Sequence, residues 1–162
     1  MGDRAVNDRP TNDRSGNDRR VHDRRVSDRR ASERYAEVCQ LQAAYCRGID
    51  DRLPELLRSV VAGDVELVAA DGSHVIGADA FVALFERYWA AAGPVLHLVS
   101  NVELLEDGEV RALFHAVSKA PDGMLTTTWG RYRDHVVRAA DGRLVFAAKR
   151  IEPFGRIRNP GA

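Results

Sequence analysis

His97 stands in the middle of an apolar, β-prone run, V-L-H-L-V-S-N, over residues 95–101. An imidazole in such a run is either satisfied inside a packed core or placed against a cavity. In a cavity it has chemistry to offer, because imidazole ordinarily titrates near neutral pH and the neutral ring accepts a proton. Asp50 is the second odd placement. It closes an amphipathic segment, at the edge of the apolar face and one turn below Cys46, and an acid at a helix C-terminus opposes the macrodipole. Its structural alternative is to cap the Asp50-Asp51-Arg52 turn.

Other chemistries find no matching pattern. The histidines at 22, 74, 97, 115 and 135 show no H-x-x-x-H or His/Cys spacing, and Cys39 and Cys46 lack further sulfur or imidazole neighbours, so no metal site is expected. No glycine-rich loop follows a strand and no G-x-S-x-G elbow is present, which sets aside nucleotide chemistry and serine hydrolysis.

The elements that must position His97 and Asp50 follow from periodicity. Ser32-Glu33 opens a helical segment in which Val38, Leu41, Tyr45 and Ile49 recur at spacings of three and four, ending near Gly48 to Asp50. A short second helix is predicted over 53–61, with Pro54 in its first turn. Strands are predicted over 65–69 and 73–76 around the Asp71-Gly72 turn. A third helix covers 77–92, with Phe81, Leu84, Phe85 and Tyr88 on one side and Gly93-Pro94 stopping it. Four strands follow, over 95–105, 110–119, 125–138 and 144–153, punctuated by Asp-Gly turns. Helices first and an antiparallel meander afterwards predict an α+β domain with helices on one face of a curved sheet. Alternation places His97 with Val95, Val99 and Asn101, and leaves Leu96 and Leu98 on the other face. Both faces being apolar, this strand is expected to be buried on both sides, by helices on one and by a partner subunit or the protein's own packing on the other.

The N-terminal residues differ in kind. Seven five-residue units, GDRAV, NDRPT, NDRSG, NDRRV, HDRRV, SDRRA and SERYA, each pair an acid with arginine, giving 10 Arg against 7 acids up to Arg34. A period of five matches neither helix nor strand, and with hardly an apolar residue the segment cannot offset its ordering entropy. Residues 1–31 are expected to be a disordered tail, gaining helix in the Arg-rich last third. Deleting it would leave the predicted domain, 32–153, intact, and 154–162 would form a C-terminal tail. An arginine arm for RNA is weighed against the acid beside nearly every arginine, which neutralises most of the field. The whole chain, with 24 basic and 24 acidic residues, offers no attraction to nucleic acid or to a membrane surface. No run reaches the ~20 apolar residues of a membrane span. The cysteines lie seven residues apart on one predicted helix, too far to bridge, and free thiols fit a cytoplasmic setting.

Taken in order, Y-C-R-G-I-D, a helix preceded by Gly77, H-L-V-S-N and G-R-Y-R-D-H-V-V-R-A-A-D-G-R-L-V-F-A-A-K-R-I make the chain resemble the SnoaL-like branch of the NTF2-like superfamily over residues 32–153. The resemblance implies a cone-shaped α+β fold around a deep apolar pocket, and a homodimer. The superfamily includes dehydratases, isomerases, cyclases, epoxide hydrolases and non-enzymatic members, so the fold names a pocket before it names a reaction. The closest match, to the scytalone dehydratase and bile-acid dehydratase group, pairs a pocket histidine with an aspartate ending the first helix and uses a nearby tyrosine. The matching positions are His97, Asp50 and Tyr45.

The chemistry holds together on its own terms. A neutral imidazole removes a proton alpha to a carbonyl, a carboxylate on its other nitrogen fixes the tautomer, and Tyr45 donates to the oxygen where charge develops. No metal or organic cofactor is required. The expected function is dehydration, isomerisation or cyclisation of a hydrophobic, polyketide-like small molecule, with a non-catalytic ligand-binding or dimeric interaction module as the competing class. Tyr88 and Trp129 would shape the cavity, Asn101 would support the histidine, and His115 would be a second pocket histidine, each with ordinary core or strand-end packing as its structural alternative. Arg131 and Tyr132 are read as structural. An epoxide hydrolase would want an Asp-Arg-Asp set, but Asp134 and Arg131 lie on opposite faces of one strand.

Overall fold

The computed structural model describes residues 14–159. The chain divides into two compact units, residues 1–34 and residues 35–162. The first helix, α1, spans Arg14–Asp50, so helix begins well before the Ser32 start that apolar periodicity marks. Arginine, alanine and glutamate are good helix formers, and the exposed Arg29–Glu33 pair at 2.8 Å adds an i,i+4 contact. Periodicity detects only the part of a helix that buries a face. Within residues 1–34 the described side chains are exposed or half-buried and contribute nothing to a core; residues 1–13 of the expected tail lie outside the described residues.

In the second unit, α1 is followed by α2 (Pro54–Ser59), β1 (Val61–Val68), β2 (His74–Ile76), α3 (Ala78–Ala91), β3 (Val95–Leu104), β4 (Glu109–Lys119), β5 (Leu125–Arg138) and β6 (Leu144–Asn159). The strands form one six-stranded, curved, unclosed sheet in the order β2-β1-β6-β5-β4-β3. All neighbours are antiparallel except β1 and β6, which run parallel, so the sheet is mixed rather than a pure meander. Between β1 and its parallel neighbour β6 the chain runs through α3 and four strands, β2 to β5. The tight turns share one device. Asp71, Asp107, Asp122 and Asp141 each accept the backbone N–H two residues on, at 2.9 to 3.0 Å, and the glycine that follows each aspartate takes positive φ.

β6 runs six residues beyond Pro153, through most of the expected C-terminal tail. Residues 155–159 pair with the first residues of β5, Leu125 with Asn159 and Trp129 with Gly155. Proline lacks the N–H a ladder needs, and the register shift between Trp129 and Gly130 takes up the irregularity it introduces.

The core lies between the helices and the concave face of the sheet. Val38, Leu41, Tyr45 and Ile49 of α1, Phe81, Leu84 and Phe85 of α3, and Val110, Phe114, Tyr132 and Phe146 of the sheet are buried together. The convex face is different. Leu96 and Leu98 are 56% and 58% exposed, so within one chain β3 is covered on one side only, and of the two expected covers for its other face the protein's own packing does not supply it. Alternation in a strand records which side chains share a face, not what covers that face.

Candidate active site

The C-terminal end of α1 is held in place by its neighbours. Gly48 lets α2 approach so closely that a Cβ there would lie 2.7 Å from a methyl of Leu57. The Trp89 indole N–H donates to the Ile49 carbonyl at 3.0 Å, and Arg52, in a left-handed conformation at φ 56°, donates to the Ala92 carbonyl at 2.9 Å. The Ile49 carbonyl also accepts the Arg52 backbone N–H at 3.3 Å, so this helix end is held by two donors. Asp50, the last residue of α1, is thereby aimed at β3.

β3 is an edge strand, so the His97 N–H that faces away from β4 has no ladder partner. Asp50 supplies one. Its Oδ2 accepts this N–H at 2.9 Å, and its Oδ1 lies 2.6 Å from His97 Nδ1. In a neutral ring this carboxylate favours the tautomer with the proton on Nδ1, and Nε2 has no protein partner among the described residues. Both side chains are mostly buried, 12% exposed for His97 and 16% for Asp50.

His97 opens on a cavity of about 380 Å³ between α1, α3 and the sheet. Phe85, Trp89, Phe114 and Ile151 make its walls apolar, and Tyr45, Tyr88 and Tyr132 bring hydroxyls. Tyr45 and Tyr132 are 1% exposed and both line the cavity, and neither hydroxyl has a hydrogen-bond partner among the described residues. Burial pushes both phenols well above their usual range, keeping them protonated donors. Tyr88 donates to Asp71 Oδ2 at 2.7 Å; burial first, then that carboxylate, pushes it up to about 12. Arg156 contributes to the lining with no carboxylate partner among the described residues.

His97, Asp50, Tyr45 and Tyr88 therefore come together, while three other residues singled out in the sequence do not. Asn101 was expected on the His97 face; it sits at positive φ, 51°, in the irregularity between Ser100 and Glu103, which breaks the alternation, and its side chain is exposed. His115 and Trp129, directly paired across β4 and β5, line the convex face with Leu98 and Leu113, on the opposite side from the cavity. Arg131 pairs with Glu152 at 2.6 Å on that outer side, whereas Asp134 is buried within, so they share no site. Tyr132 and Arg156 escaped sequence reasoning as pocket residues. The inward alternation of Tyr132 with Asp134 was a usable signal, but Arg156 lies beyond Pro153, where the strand was expected to have ended.

An α+β cone whose helices and sheet enclose an apolar pocket, with a His–Asp pair in its wall, defines a class of small pocket proteins. Within that class the chain belongs to the SnoaL-like domain family of the NTF2-like superfamily, whose family model matches residues 30–150. Solved structures with similar folds include a candidate scytalone dehydratase from Novosphingobium aromaticivorans (22% identity, 84% of this chain and 90% of that one, TM-score 0.68). The hexachlorocyclohexane dehydrochlorinase LinA-type3 from Novosphingobium barchaimii is a second (19% identity, 83% and 94%, TM-score 0.71). A protein from Catenulispora acidiphila in complex with S-DNPA is a third (27% identity, 75% and 94%, TM-score 0.64). No curated protein matches the sequence. No helix among the described residues is long and apolar enough to cross a membrane.

Proposed function

We propose that the chain is a cofactor-independent lyase or isomerase acting on a hydrophobic small molecule by His–Asp general acid-base catalysis. The observation that carries this reading is the two-point contact of Asp50 with His97, at 2.6 and 2.9 Å, in the wall of an apolar cavity. His97 Nε2 takes a proton from a carbon beside an activating group, and Asp50 stabilises the imidazolium that results. Tyr45 donates to the oxygen that gains charge. If a leaving group sits on the next carbon, the C–H electron pair becomes the new double bond as that group departs. Dehydration and dehydrochlorination, the reactions named for two of the similar structures, are both eliminations of this form. A cavity of about 380 Å³ with aromatic walls suits a fused-ring or polyketide-like body.

Turnover on a panel of ring ketones and β-hydroxy carbonyl compounds tests the reading. His97→Gln and Asp50→Asn should each lower it by about 10²-fold or more while the chain stays folded. Ligand binding with no turnover on any of these by the unaltered chain would make it a binding module.

Two further expectations belong to this proposal. The apolar convex face, with Leu96, Leu98 and Ile157 exposed, supports a homodimer in which a second copy covers it. The free thiols of Cys39 and Cys46 support a reducing, cytoplasmic setting.

A further inference from the structure

Behind the cavity lies a buried ion pair that the acid-base reading does not use. Lys149 of β6 and Asp134 of β5 have fully buried side chains, with Nζ donating to Oδ2 at 2.7 Å. Gln42 Nε2, from α1, donates to the same oxygen at 2.7 Å. Burial opposes both charges, raising the Asp134 carboxyl and lowering the Lys149 ammonium, while each charge supports the other. Apolar residues of equal volume usually stabilise a core as well as such a pair or better. The network is also incomplete by geometry at Gln42 Oε1 and Asp134 Oδ1, although the Arg150 backbone N–H lies close enough to favour the carboxylate. Stability is thus a weak reason for its presence.

Its position supplies a stronger one. Lys149 Nζ lies 3.8 Å from the ring centroid of Phe146, 4.1 Å from that of Tyr45 and 4.7 Å from that of Tyr132, all within cation–π range. Tyr45 and Tyr132 both line the cavity, and their hydroxyls are without a hydrogen-bond partner among the described residues. A cation on the face of a phenol ring withdraws electron density from it, which makes the hydroxyl a stronger donor to an anionic oxygen.

We propose that Lys149 is a positioning residue whose ammonium, held by Asp134 and Gln42, polarises the Tyr45 and Tyr132 hydroxyls to hold a substrate oxygen on which negative charge develops. The substrate class is then an apolar ring system carrying a carbonyl or phenolic oxygen. The role of that oxygen rests on the acid-base reading, but the test requires no turnover.

The probe is 4-nitrophenol, whose phenolate absorbs apart from the neutral phenol, bound to the full chain at neutral pH. The unaltered chain should bind it with a larger ionised fraction than the free ligand shows. Lys149→Met/Asp134→Asn removes both charges, leaves the net charge unchanged and is nearly isosteric; it should lower the ionised-to-neutral ratio of the bound probe by about tenfold, one unit of apparent acidity. Tyr45→Phe/Tyr132→Phe should do the same, and nitrobenzene should bind all three proteins alike. An unchanged ratio in a cooperatively melting Lys149→Met/Asp134→Asn chain overturns the proposal, and so does failure of the unaltered chain to bind the probe. If the charge-free variant does not fold, Tyr45→Phe and Tyr132→Phe singly decide, and a ratio unchanged in both overturns it. A chain that ionises the probe but whose turnover survives His97→Gln keeps this proposal and sinks the acid-base one.

Discussion

Asp50 grips His97 at two points, with one carboxylate oxygen on the ring Nδ1 and the other on the backbone N–H of the same residue. The carboxylate therefore fixes where the ring is as well as which nitrogen carries the proton. A single Asp50→Asn change separates these two effects. The amide oxygen can still accept the backbone N–H, but the amide N–H₂ then faces Nδ1 and requires it to be an acceptor. That moves the ring proton to Nε2 and removes the lone pair from the cavity. Turnover should fall by about 10² to 10⁴-fold, the usual worth of a positioned base, with little change in melting temperature. The ¹⁵N resonances of the His97 ring check the tautomer directly. A normal rate, or a loss of rate with the tautomer unchanged, would refute the argument.

Tyr88, raised by burial and then by Asp71, and Asp71, lowered chiefly by the Ser73 N–H, make stability fall at opposite ends of the pH scale. Asp71 is held below its ordinary range chiefly by the Ser73 backbone N–H, with the Tyr88 hydroxyl adding to it. A depressed folded-state carboxyl contributes stability above its unfolded value of 3.8, and that contribution is lost as pH falls through the folded value. Tyr88 has the opposite sign. Its value rises from 10.0 to about 12 on folding, so its contribution is complete below pH 10 and disappears as pH climbs towards 12. Tyr88→Phe should flatten the alkaline limb of a urea-stability profile and weaken the acid limb only slightly, because the Ser73 N–H remains. An alkaline limb unchanged in Tyr88→Phe would mean that Tyr45 and Tyr132, also raised by burial, carry all of it.

Much of this arrangement was legible in the residue order. The helix–strand sequence, the Asp-Gly turns and the approach of His97 to the α1 terminus follow from periodicity, turn chemistry and resemblance. What escaped was decided by pairing across the sheet. Asn101 shares the parity of His97 and would share its face if the strand were regular, but one irregularity breaks that relation. His115 and Trp129 have the alternation of inward residues; only the curvature of the sheet and the side on which the helices dock decide which face is inner. Arg156 depended on β6 continuing past Pro153, which β5 dictates by pairing with it. Lys149 carries no local signal, since nothing in its neighbouring residues shows that Asp134 and three aromatic rings surround it.

The convex face gives a prediction about assembly. Leu98, 58% exposed, neighbours Leu113, Trp129 and Ile157 around an apolar groove. A solvated face of an antiparallel sheet is normally polar, so the proposed second copy would cover this patch. Sedimentation of the full chain at micromolar concentration should give a dimer, and Leu98→Lys should give a monomer with its fold intact. A monomeric unaltered chain would remove the second copy as the occupant.

Gly48 links the packing of the helices to the geometry of the acid. It lies two residues before Asp50, and α2 closes onto it because it has no side chain; the Leu57 methyl 2.7 Å from a virtual Cβ belongs to a fully buried residue with little room to retreat. Gly48→Ala gains helix propensity, worth at most about 1 kcal/mol, and meets an overpacking cost of about 1 to 3 kcal/mol. The net effect should be a loss of stability, relieved by shortening the opposing side chain in Gly48→Ala/Leu57→Val. Because α2 is displaced next to the residue that orients His97, turnover should fall further than stability alone explains, and the same second change should restore part of it. Urea denaturation and initial rates on the three proteins measure both. If Gly48→Ala lowers stability but leaves the rate untouched, the α1 terminus is positioned by Trp89 and Arg52 without help from α2.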